Sequence, residues 1–95
     1  MFEHLNISLY GKVQGVFLRR TVRHEAVRIG LKGFVENKPD GSVYIEAEGK
    51  PEKLEEFVSW LKSGAGASDG DYKIGRVEVD KGGFKAFDEE FEIKG

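Results

Sequence analysis

Residues 34–48 read FVENKPDGSVYIEAE, and they restrict the topology more than any other segment of the chain. Apolar and β-branched residues over 34–37 and 43–48 predict two strands, which are separated by KPDG at residues 38–41. Proline presets φ within a turn and glycine accepts a positive φ, so Pro-Asp-Gly between two apolar runs is typical of a hairpin. The two central strands are therefore predicted to be antiparallel.

The segment before this hairpin predicts a strand followed by a helix. Apolar residues alternate with polar ones over residues 5–10, as in a strand with one buried face. A turn with two glycines at residues 11–15 follows, and apolar residues then recur at helical spacing: Leu18, Val22, Ala26 and Ile29. Gly30 ends this helix, because glycine readily adopts the left-handed conformation that closes many helices.

The segment after the hairpin predicts a second helix and two further strands. Pro51 opens the helix, since proline suits the first helical position, and Gly64 stops it. Residues 63–71 are rich in glycine, alanine and serine and predict a loop, and residues 74–79 predict a strand. A weaker pattern predicts a last strand with one face formed by Phe87, Phe91 and Ile93.

The predicted element order is β-α-β-β-α-β with an additional C-terminal strand. Because the central strands form a hairpin, the sheet is mixed or antiparallel. The arrangement that satisfies this order is an α+β, ferredoxin-like split βαβ sandwich with both helices on one face of the sheet. We expect residues 1–95 to form a single domain, since a chain of 95 residues can bury one core but not two.

Composition and charge exclude several classes of protein. Hydrophobic residues at 39% argue against disorder, and the absence of cysteine excludes disulfides and thiolate sites. The net charge of −2 is a poor match for general nucleic-acid binding, which depends on phosphate neutralisation. No apolar run is long enough to span a bilayer, and no signal peptide is recognised, so we expect a cytoplasmic monomer without a membrane partner.

Common catalytic and cofactor motifs are missing from the sequence. His4 and His24 have no metal-ligand spacing, and each is expected to be at the surface or half-buried. The loop around Gly64, Gly66 and Gly70 follows a helix and lacks both phosphate-binding fingerprints. We interpret that loop as a connection.

The stretch from Gln14 to Arg20 is the strongest candidate for a ligand site. No Ser, Thr, Asp or Asn stands between Lys12 and Arg20, so the first N–H groups of the predicted helix have no local side-chain cap. Gly15 lets the backbone approach a ligand closely, and an arginine at the same turn adds positive charge. Free N–H donors, the positive end of the helix dipole and a guanidinium together suit an anion. From these residues alone, a water-capped helix with surface arginines is an equally good interpretation.

Asn37, at the end of the strand after the first helix, is a second candidate. In the predicted fold this strand returns beside that helix, which brings Asn37 towards the loop. A neutral amide both donates and accepts hydrogen bonds, so it can orient a water without titrating. The simpler alternative is that Asn37 only starts the turn at residues 38–41.

Two segments resemble the signatures of the acylphosphatase family. Residues 11–19, GKVQGVFLR, resemble G-x-V-Q-G-V-x-[FM]-R. Residues 33–37, GFVEN, followed by Gly41, Val43 and Gly49, are similar to the second signature of that family. The resemblance runs from about residue 5 to residue 60, and two motifs in the right order are a more specific match than either alone.

The resemblance implies hydrolysis of a small-molecule acyl phosphate to a carboxylate and inorganic phosphate, with no metal or organic cofactor. From the charge balance we expect no nucleic-acid partner. It implies that the phosphate oxygens are held by backbone N–H groups of a loop formed by Gln14, Gly15, Val16, Phe17 and Leu18. The essential arginine of the family corresponds to Arg19, and its water-orienting asparagine corresponds to Asn37.

A few positions depart from the family pattern or create an ambiguity. Leu18 stands where Phe or Met is usual, and we expect it to be buried under the helix. Glu36 replaces a residue that is more often basic or neutral, and strand alternation points it away from Asn37. Arg20 points about 100° further round the helix than Arg19, which predicts a surface position.

Three points stay open at this stage. A domain of the same fold could bind an acyl phosphate or another anion without turning it over. An RNA-recognition sheet shares the element order, and KGFV at residues 32–35 is similar to part of its aromatic motif, although it falls on the second strand instead of the third. Phe17 is either a surface ring or a lining of the acyl side of the site.

Overall fold

The fold is a mixed five-stranded sheet with two helices, described by a computed structural model for residues 1–15, 17–66 and 72–95. The elements are β1 (Glu3–Lys12), α1 (Leu18–Ile29), β2 (Lys32–Asn37), β3 (Val43–Gly49), α2 (Pro51–Lys62), β4 (Lys73–Gly82) and β5 (Glu92–Lys94). The strand order is β4-β1-β3-β2-β5, and the pairs are antiparallel except for β2 with β5. The predicted ferredoxin-like α+β fold is confirmed. Within the described residues, none of the helices has the length and apolar character needed to cross a bilayer.

Both helices pack their apolar stripes against the same core. The stripe of α1 is the one predicted from the sequence, and it is buried at Leu18, Val22, Ala26 and Ile29. The stripe of α2 contributes Leu54, Phe57 and Leu61. The sheet supplies the inward-facing residues of the same cluster, among them Ile7, Leu9, Val35 and Ile45.

The central hairpin forms as predicted, and its turn is closed by several hydrogen bonds. The N–H of Lys38 donates to the carbonyl of Ser42 at 2.9 Å, and the N–H of Gly41 donates to the carbonyl of Lys38 at 3.1 Å. The Asp40 carboxylate accepts from the Ser42 hydroxyl at 2.6 Å and from the Ser42 N–H at 2.9 Å. These two hydrogen bonds hold the pKa of Asp40 below its ordinary value.

β1 is longer than the sequence predicted, and the turn that follows it is shorter. Gly11 lies inside the strand, with φ 127°, next to an irregularity in the β1–β4 register between Tyr10 and Gly11. A Cβ atom at this position would lie 2.4 Å from the carbonyl oxygen of Lys73. The assignment of residues 11 and 12 to a turn was therefore wrong, because Gly11 permits close contact with β4 and not a reversal of the chain.

α2 and β4 follow the predicted order with small differences in length. α2 begins at Pro51, and the stop at Gly64 is confirmed, since that residue has φ 103°. β4 extends beyond the predicted 74–79 at both ends. The predicted loop at residues 63–71 is described as turns up to residue 66, and residues 67–71 lie outside the described residues.

The last strand is shorter than predicted, and its aromatic residues do not lie on one face as predicted. β5 has three residues, and Phe91, just before it, is fully buried in the core. Phe87 instead lies 6.2 Å from the ring of Phe34, on the face of the sheet without helices. The N–H groups of Lys85 and Phe87 donate to the carboxylate of Glu48, so this segment is held by a side chain and not by a strand ladder.

His4 is buried at 2% exposure, which corrects the prediction of a surface or half-buried position. Its Nδ1 lies 2.7 Å from Glu48 Oε2, and its Nε2 lies 3.0 Å from Glu46 Oε1 and 2.9 Å from Asn6 Oδ1. Both ring nitrogens therefore lie within hydrogen-bond distance of a carboxylate oxygen. The alternation of residues along β1 could not predict this burial, because the residues that cover His4 belong to the segment after β4. His24 on α1 is exposed, in agreement with the prediction.

Candidate active site

The start of α1 has no side-chain cap, as the sequence predicted. Phe17 is the N-cap residue, with φ −82° and ψ 14°, and no side chain of the described residues forms a capping hydrogen bond. Its carbonyl accepts the first helical hydrogen bond, from the N–H of Thr21 at 3.0 Å. The first turn contains no acidic residue. The first N–H groups of α1 and the positive end of the helix dipole are therefore available to an anion.

The loop before α1 contains the other residues whose backbone N–H groups were predicted to bind phosphate. Gly15 has φ 77°, in the left-handed region, and an added Cβ there would meet nothing within 4 Å. Leu18 is fully buried, as predicted, so only its backbone could face a ligand. Phe17 is 65% exposed. Val16, the remaining predicted loop residue, lies outside the described residues.

The side chain of Gln14 connects this loop to the central hairpin. Its Nε2 donates to the carbonyl oxygens of Lys38 and Ser42, both at 2.7 Å. A primary amide has two N–H hydrogens, so these bonds use both of them. The sequence predicted only that the backbone of Gln14 contributes to the loop. It did not predict that the Gln14 side chain donates hydrogen bonds to the hairpin.

Asn37 is the last residue of β2 and lies next to one of those acceptors, Lys38. Strand alternation from the fully buried Val35 places its side chain on the helix-covered face of the sheet. Its Oδ1 is buried, and no described residue donates a hydrogen bond to it. Because none of the hydrogen bonds that close the turn involves this oxygen, a turn-forming role does not account for it.

Arg19 and Arg20 differ from the other arginines of the chain. Arg19 is half-buried, and it forms no ion pair or hydrogen bond with any described residue. Arg20 is exposed, as predicted, and its guanidinium lies 5.6 Å from the centroid of the Phe17 ring. Each remaining arginine has a glutamate partner between 2.8 and 3.2 Å away, and these are Arg23, Arg28 and Arg76.

Glu36 does not place a negative charge on the helix-covered side of β2. Its Oε1 pairs with Lys38 Nζ at 2.9 Å, and its register partner across the hairpin is Tyr44. Lys38 Nζ also lies 5.0 Å from the centroid of the Tyr44 ring, on the same face. The predicted separation of the Glu36 side chain from Asn37 is consistent with these contacts on the helix-free face.

The helix-free face of the sheet is not an open aromatic platform at Phe34. Phe34 packs 6.1 Å from the ring of Tyr44, and Lys94 Nζ lies 4.2 Å from its ring centroid. A base that stacked on that face of Phe34 would displace the lysine. Over the described ranges, no group of three or more His, Asp or Glu side chains is arranged to hold a metal ion.

The acylphosphatase family model matches residues 5–93. The chain belongs to the acylphosphatase family. A curated acylphosphatase from Thiobacillus denitrificans is 43% identical over 60 residues, which cover 63% of this chain and 67% of that protein. Membership makes the chain an enzyme of the hydrolase class.

Solved acylphosphatase structures share the whole fold. The crystal structure of acylphosphatase from Bacillus subtilis has a TM-score of 0.87 and 32% identity, with full coverage of both chains. An acylphosphatase from Coxiella burnetii has a TM-score of 0.85 and 25% identity, over 98% of this chain and 93% of that one. The roles of Arg19, Asn37 and the loop before α1 remain predictions.

Proposed function

We propose that this acylphosphatase hydrolyses the carboxyl–phosphate bond of acyl phosphates at the start of α1. The observation that carries the proposal is the uncapped first turn of α1, beside which Arg19 has no partner among the described residues. A half-buried guanidinium without an anionic partner is an uncommon arrangement in a folded protein, and an anionic ligand would complete it.

The phosphate is held by backbone N–H groups of the loop formed by Gln14, Gly15, Val16, Phe17 and Leu18, together with the guanidinium of Arg19. Hydrogen bonds in which an oxyanion accepts from N–H donors are among the strongest in proteins, and a guanidinium can donate two to one phosphate. The side-chain amide of Gln14 is not one of these donors, because Lys38 and Ser42 already use it.

The attacking water is oriented by Asn37. Its buried Oδ1 has no donor among the described residues, and leaving such an acceptor unpaired costs about 1–3 kcal/mol. A water that donates to Oδ1 would remove that cost and would have its oxygen lone pair free to attack phosphorus. Since an amide does not titrate, Asn37 would position the water without acting as a base.

The reaction then needs no general acid from the protein. The oxygen of the water forms a bond to phosphorus while the bond from phosphorus to the acyl oxygen breaks, and the bonding electron pair leaves with the carboxylate. The conjugate acid of that carboxylate has a pKa of about 4, so the leaving group departs without a proton. The proton lost by the water goes to a phosphate oxygen, and the protein contributes positioning and charge stabilisation.

The test is inorganic phosphate release from benzoyl phosphate in EDTA, after subtraction of uncatalysed hydrolysis. We expect Arg19→Ala to lower kcat/KM by about a thousandfold or more. The same variant should no longer be competitively inhibited by phosphate. We expect Asn37→Ala to lose about a hundredfold, mainly in kcat. Arg28→Ala is the matched control, because Arg28 is exposed on the same helix and pairs with Glu25 and Glu56.

One outcome would replace the proposal by a non-catalytic anion-binding module. That outcome is a folded wild-type chain that binds phosphate but releases none from benzoyl phosphate above background. Full activity in Arg19→Ala would instead remove the assigned phosphate site.

We also propose, from composition, that the protein is a cytoplasmic monomer in which residues 1–95 form one domain. Sedimentation at several concentrations tests the oligomeric state, and a concentration-dependent increase in mass would contradict it.

A further inference from the structure

A groove of about 680 Å³ runs along α1, beside the edge strand β5. Its lining residues in the described part of the chain are Phe17, Arg20, Thr21, Arg23, His24 and Ile93. This volume lies within the range of small-molecule sites, which is about 300–1,000 Å³. The groove starts at the N-cap residue Phe17 and reaches His24, which corresponds to about 10 Å along the helix.

The chemistry of the groove is apolar and positively charged. The ring of Phe17 is 65% exposed and Ile93 is 38% exposed, so both present apolar surface. The side chains of Arg20, Arg23 and His24 are basic, and the described lining contains no acidic residue. Glu90 balances the charge of Arg23, so the positive charge left in the described lining is that of Arg20.

Arg20 is the cation of this groove that is free to bind a ligand. Arg23 is already engaged, because its guanidinium donates to Glu90 at 2.9 Å and to the Phe91 carbonyl at 3.0 Å. Arg20 forms no ion pair with any described residue, and its one described contact is with the Phe17 ring. A guanidinium 5.6 Å from the centroid of an exposed aromatic ring still has N–H donors for a ligand, and its planar fork suits a carboxylate or a phosphate.

We infer that this groove binds the acyl part of the substrate and that Arg20 recognises an anionic group on it. The inference rests on the proposed function, in which the phosphate lies on the loop that ends at Phe17. Because Phe17 both ends that loop and lines the groove, the groove is adjacent to the phosphate and within reach of the acyl group. The preferred substrates are therefore acyl phosphates that carry a second negative charge, either a carboxylate or a phosphorus oxyanion.

The experiment compares 4-carboxybenzoyl phosphate with 4-carbamoylbenzoyl phosphate, which have almost the same shape and differ by one charge. The measured quantity is the ratio of their kcat/KM values, determined for the wild type, Arg20→Gln, Arg20→Lys and Arg28→Gln. Differences in the intrinsic reactivity of the two substrates cancel when this ratio is compared between variants. 4-Phosphonobenzoyl phosphate, compared with the same neutral substrate, distinguishes a phosphorus oxyanion from a carboxylate.

For at least one anionic substrate, we expect Arg20→Gln to lower the ratio of anionic to neutral kcat/KM about fivefold. This factor is at the upper end of the contribution of a solvent-exposed ion pair. Arg20→Lys should keep most of the ratio, because the charge is retained. Arg28→Gln should keep the wild-type ratio, since it removes the same charge from the same helix outside the groove.

Three results separate this inference from the proposed function. An unchanged ratio for both anionic substrates in Arg20→Gln would overturn the inference while the proposed function stands. An equal loss on the anionic and neutral substrates, with weaker inhibition by inorganic phosphate, would place Arg20 on the transferred phosphate and would also overturn it. Failure of the wild type to hydrolyse any of the substrates would refute the proposed function itself.

Discussion

The side-chain amide nitrogen of Gln14 lies 2.7 Å from the carbonyl oxygen of Lys38, the residue that directly follows Asn37. The same nitrogen lies 2.7 Å from the carbonyl oxygen of Ser42. Through these two hydrogen bonds, one side chain holds the loop before α1 against the end of β2. The loop proposed to bind phosphate and the asparagine proposed to orient water therefore share one support.

Replacing Gln14 with leucine should damage activity and stability together. Gln14→Leu leaves the carbonyls of Lys38 and Ser42 without these donors, so we expect the free energy of unfolding to fall by about 1–3 kcal/mol. Because the loop is no longer fixed, we expect kcat/KM for benzoyl phosphate to fall tenfold or more, an order-of-magnitude figure for misplaced groups. Urea denaturation and steady-state kinetics measure the two effects.

The control for Gln14→Leu is Ser42→Ala. This variant removes the hydroxyl that donates to Asp40 at 2.6 Å but leaves the Ser42 carbonyl in place. We expect it to lower stability by about 1 kcal/mol with little change in kcat/KM. Equal losses of kcat/KM in the two variants would contradict the positioning role of Gln14.

Two glycines of the same segment should respond differently to alanine. At Gly15 the added Cβ meets no atom within 4 Å, so the cost of Gly15→Ala is the left-handed backbone alone, about 1–2 kcal/mol. At Gly11 the Cβ would lie 2.4 Å from the Lys73 carbonyl oxygen and 2.7 Å from the Gly75 nitrogen, so β1 and β4 must separate. We expect Gly11→Ala to lower the free energy of unfolding by clearly more than Gly15→Ala. Equal losses in urea denaturation would show that the β1–β4 contact is not as close as described.

Asn37→Ala should separate function from stability. Its Oδ1 is buried without a described partner, so removing the amide eliminates an unpaired acceptor. We expect the free energy of unfolding to stay the same or rise by up to about 1 kcal/mol while kcat falls. Thermal denaturation in phosphate-free buffer is the measurement. A loss of 2 kcal/mol or more, by the same order-of-magnitude scale, would mean that Asn37 makes a structural contribution in the folded chain.

Acid should destabilise the protein through Glu46 and Glu48. Burial alone would raise the pKa of each carboxyl, but the hydrogen bonds that each accepts lower it by more. Glu46 accepts from Lys85 and Tyr44. Glu48 accepts from Lys85, His4 and Phe87. Both pKa values therefore lie below the ordinary 4.5. Because folding lowers both pKa values, the two carboxylates stabilise the folded state fully above pH 4.5. This stabilisation is lost as the pH falls through the lower, folded-state values.

Glu48→Gln tests this acid sensitivity. The amide cannot accept charge-assisted hydrogen bonds from His4 and the two backbone N–H groups, so the variant should be less stable at pH 7. Its free energy of unfolding should also fall less steeply than that of the wild type between about pH 5 and pH 3. Glu55→Gln, at an exposed position of α2, is the control. Parallel pH curves for the wild type and Glu48→Gln would contradict the prediction.

The order of the elements and the boundaries of α1 were predictable because local rules govern them. Leu18, Val22 and Ile29 repeat at helical spacing, and Gly30 closes the helix with φ 94°, as glycine does in many helices. The missing cap at the start of α1 was also visible, since capping depends on residues next to one another in the chain.

The last strand and the environment of His4 were not predictable from the same rules. Phe87 and Phe91 have the spacing of one strand face, yet Phe91 enters the core and Phe87 contacts Phe34 on the opposite face. The carboxylate of Glu48 accepts hydrogen bonds from the backbone N–H groups of residues 85 and 87, and the spacing of residues in the sequence does not predict this contact.

The hairpin, the helices, the family signatures and the uncapped N–H groups at α1 could all be read from the sequence, because each depends on residues close together in the chain. Three features emerged from the folded chain: Gln14 is bonded to the hairpin, the Oδ1 of Asn37 is buried without a described donor, and Arg20 lines a groove beside β5. These features could not be read from the sequence because the burial of a side chain and its hydrogen-bond partners are set by segments distant in the chain. Whether a polar side chain is satisfied or free depends on which of those segments the fold brings against it.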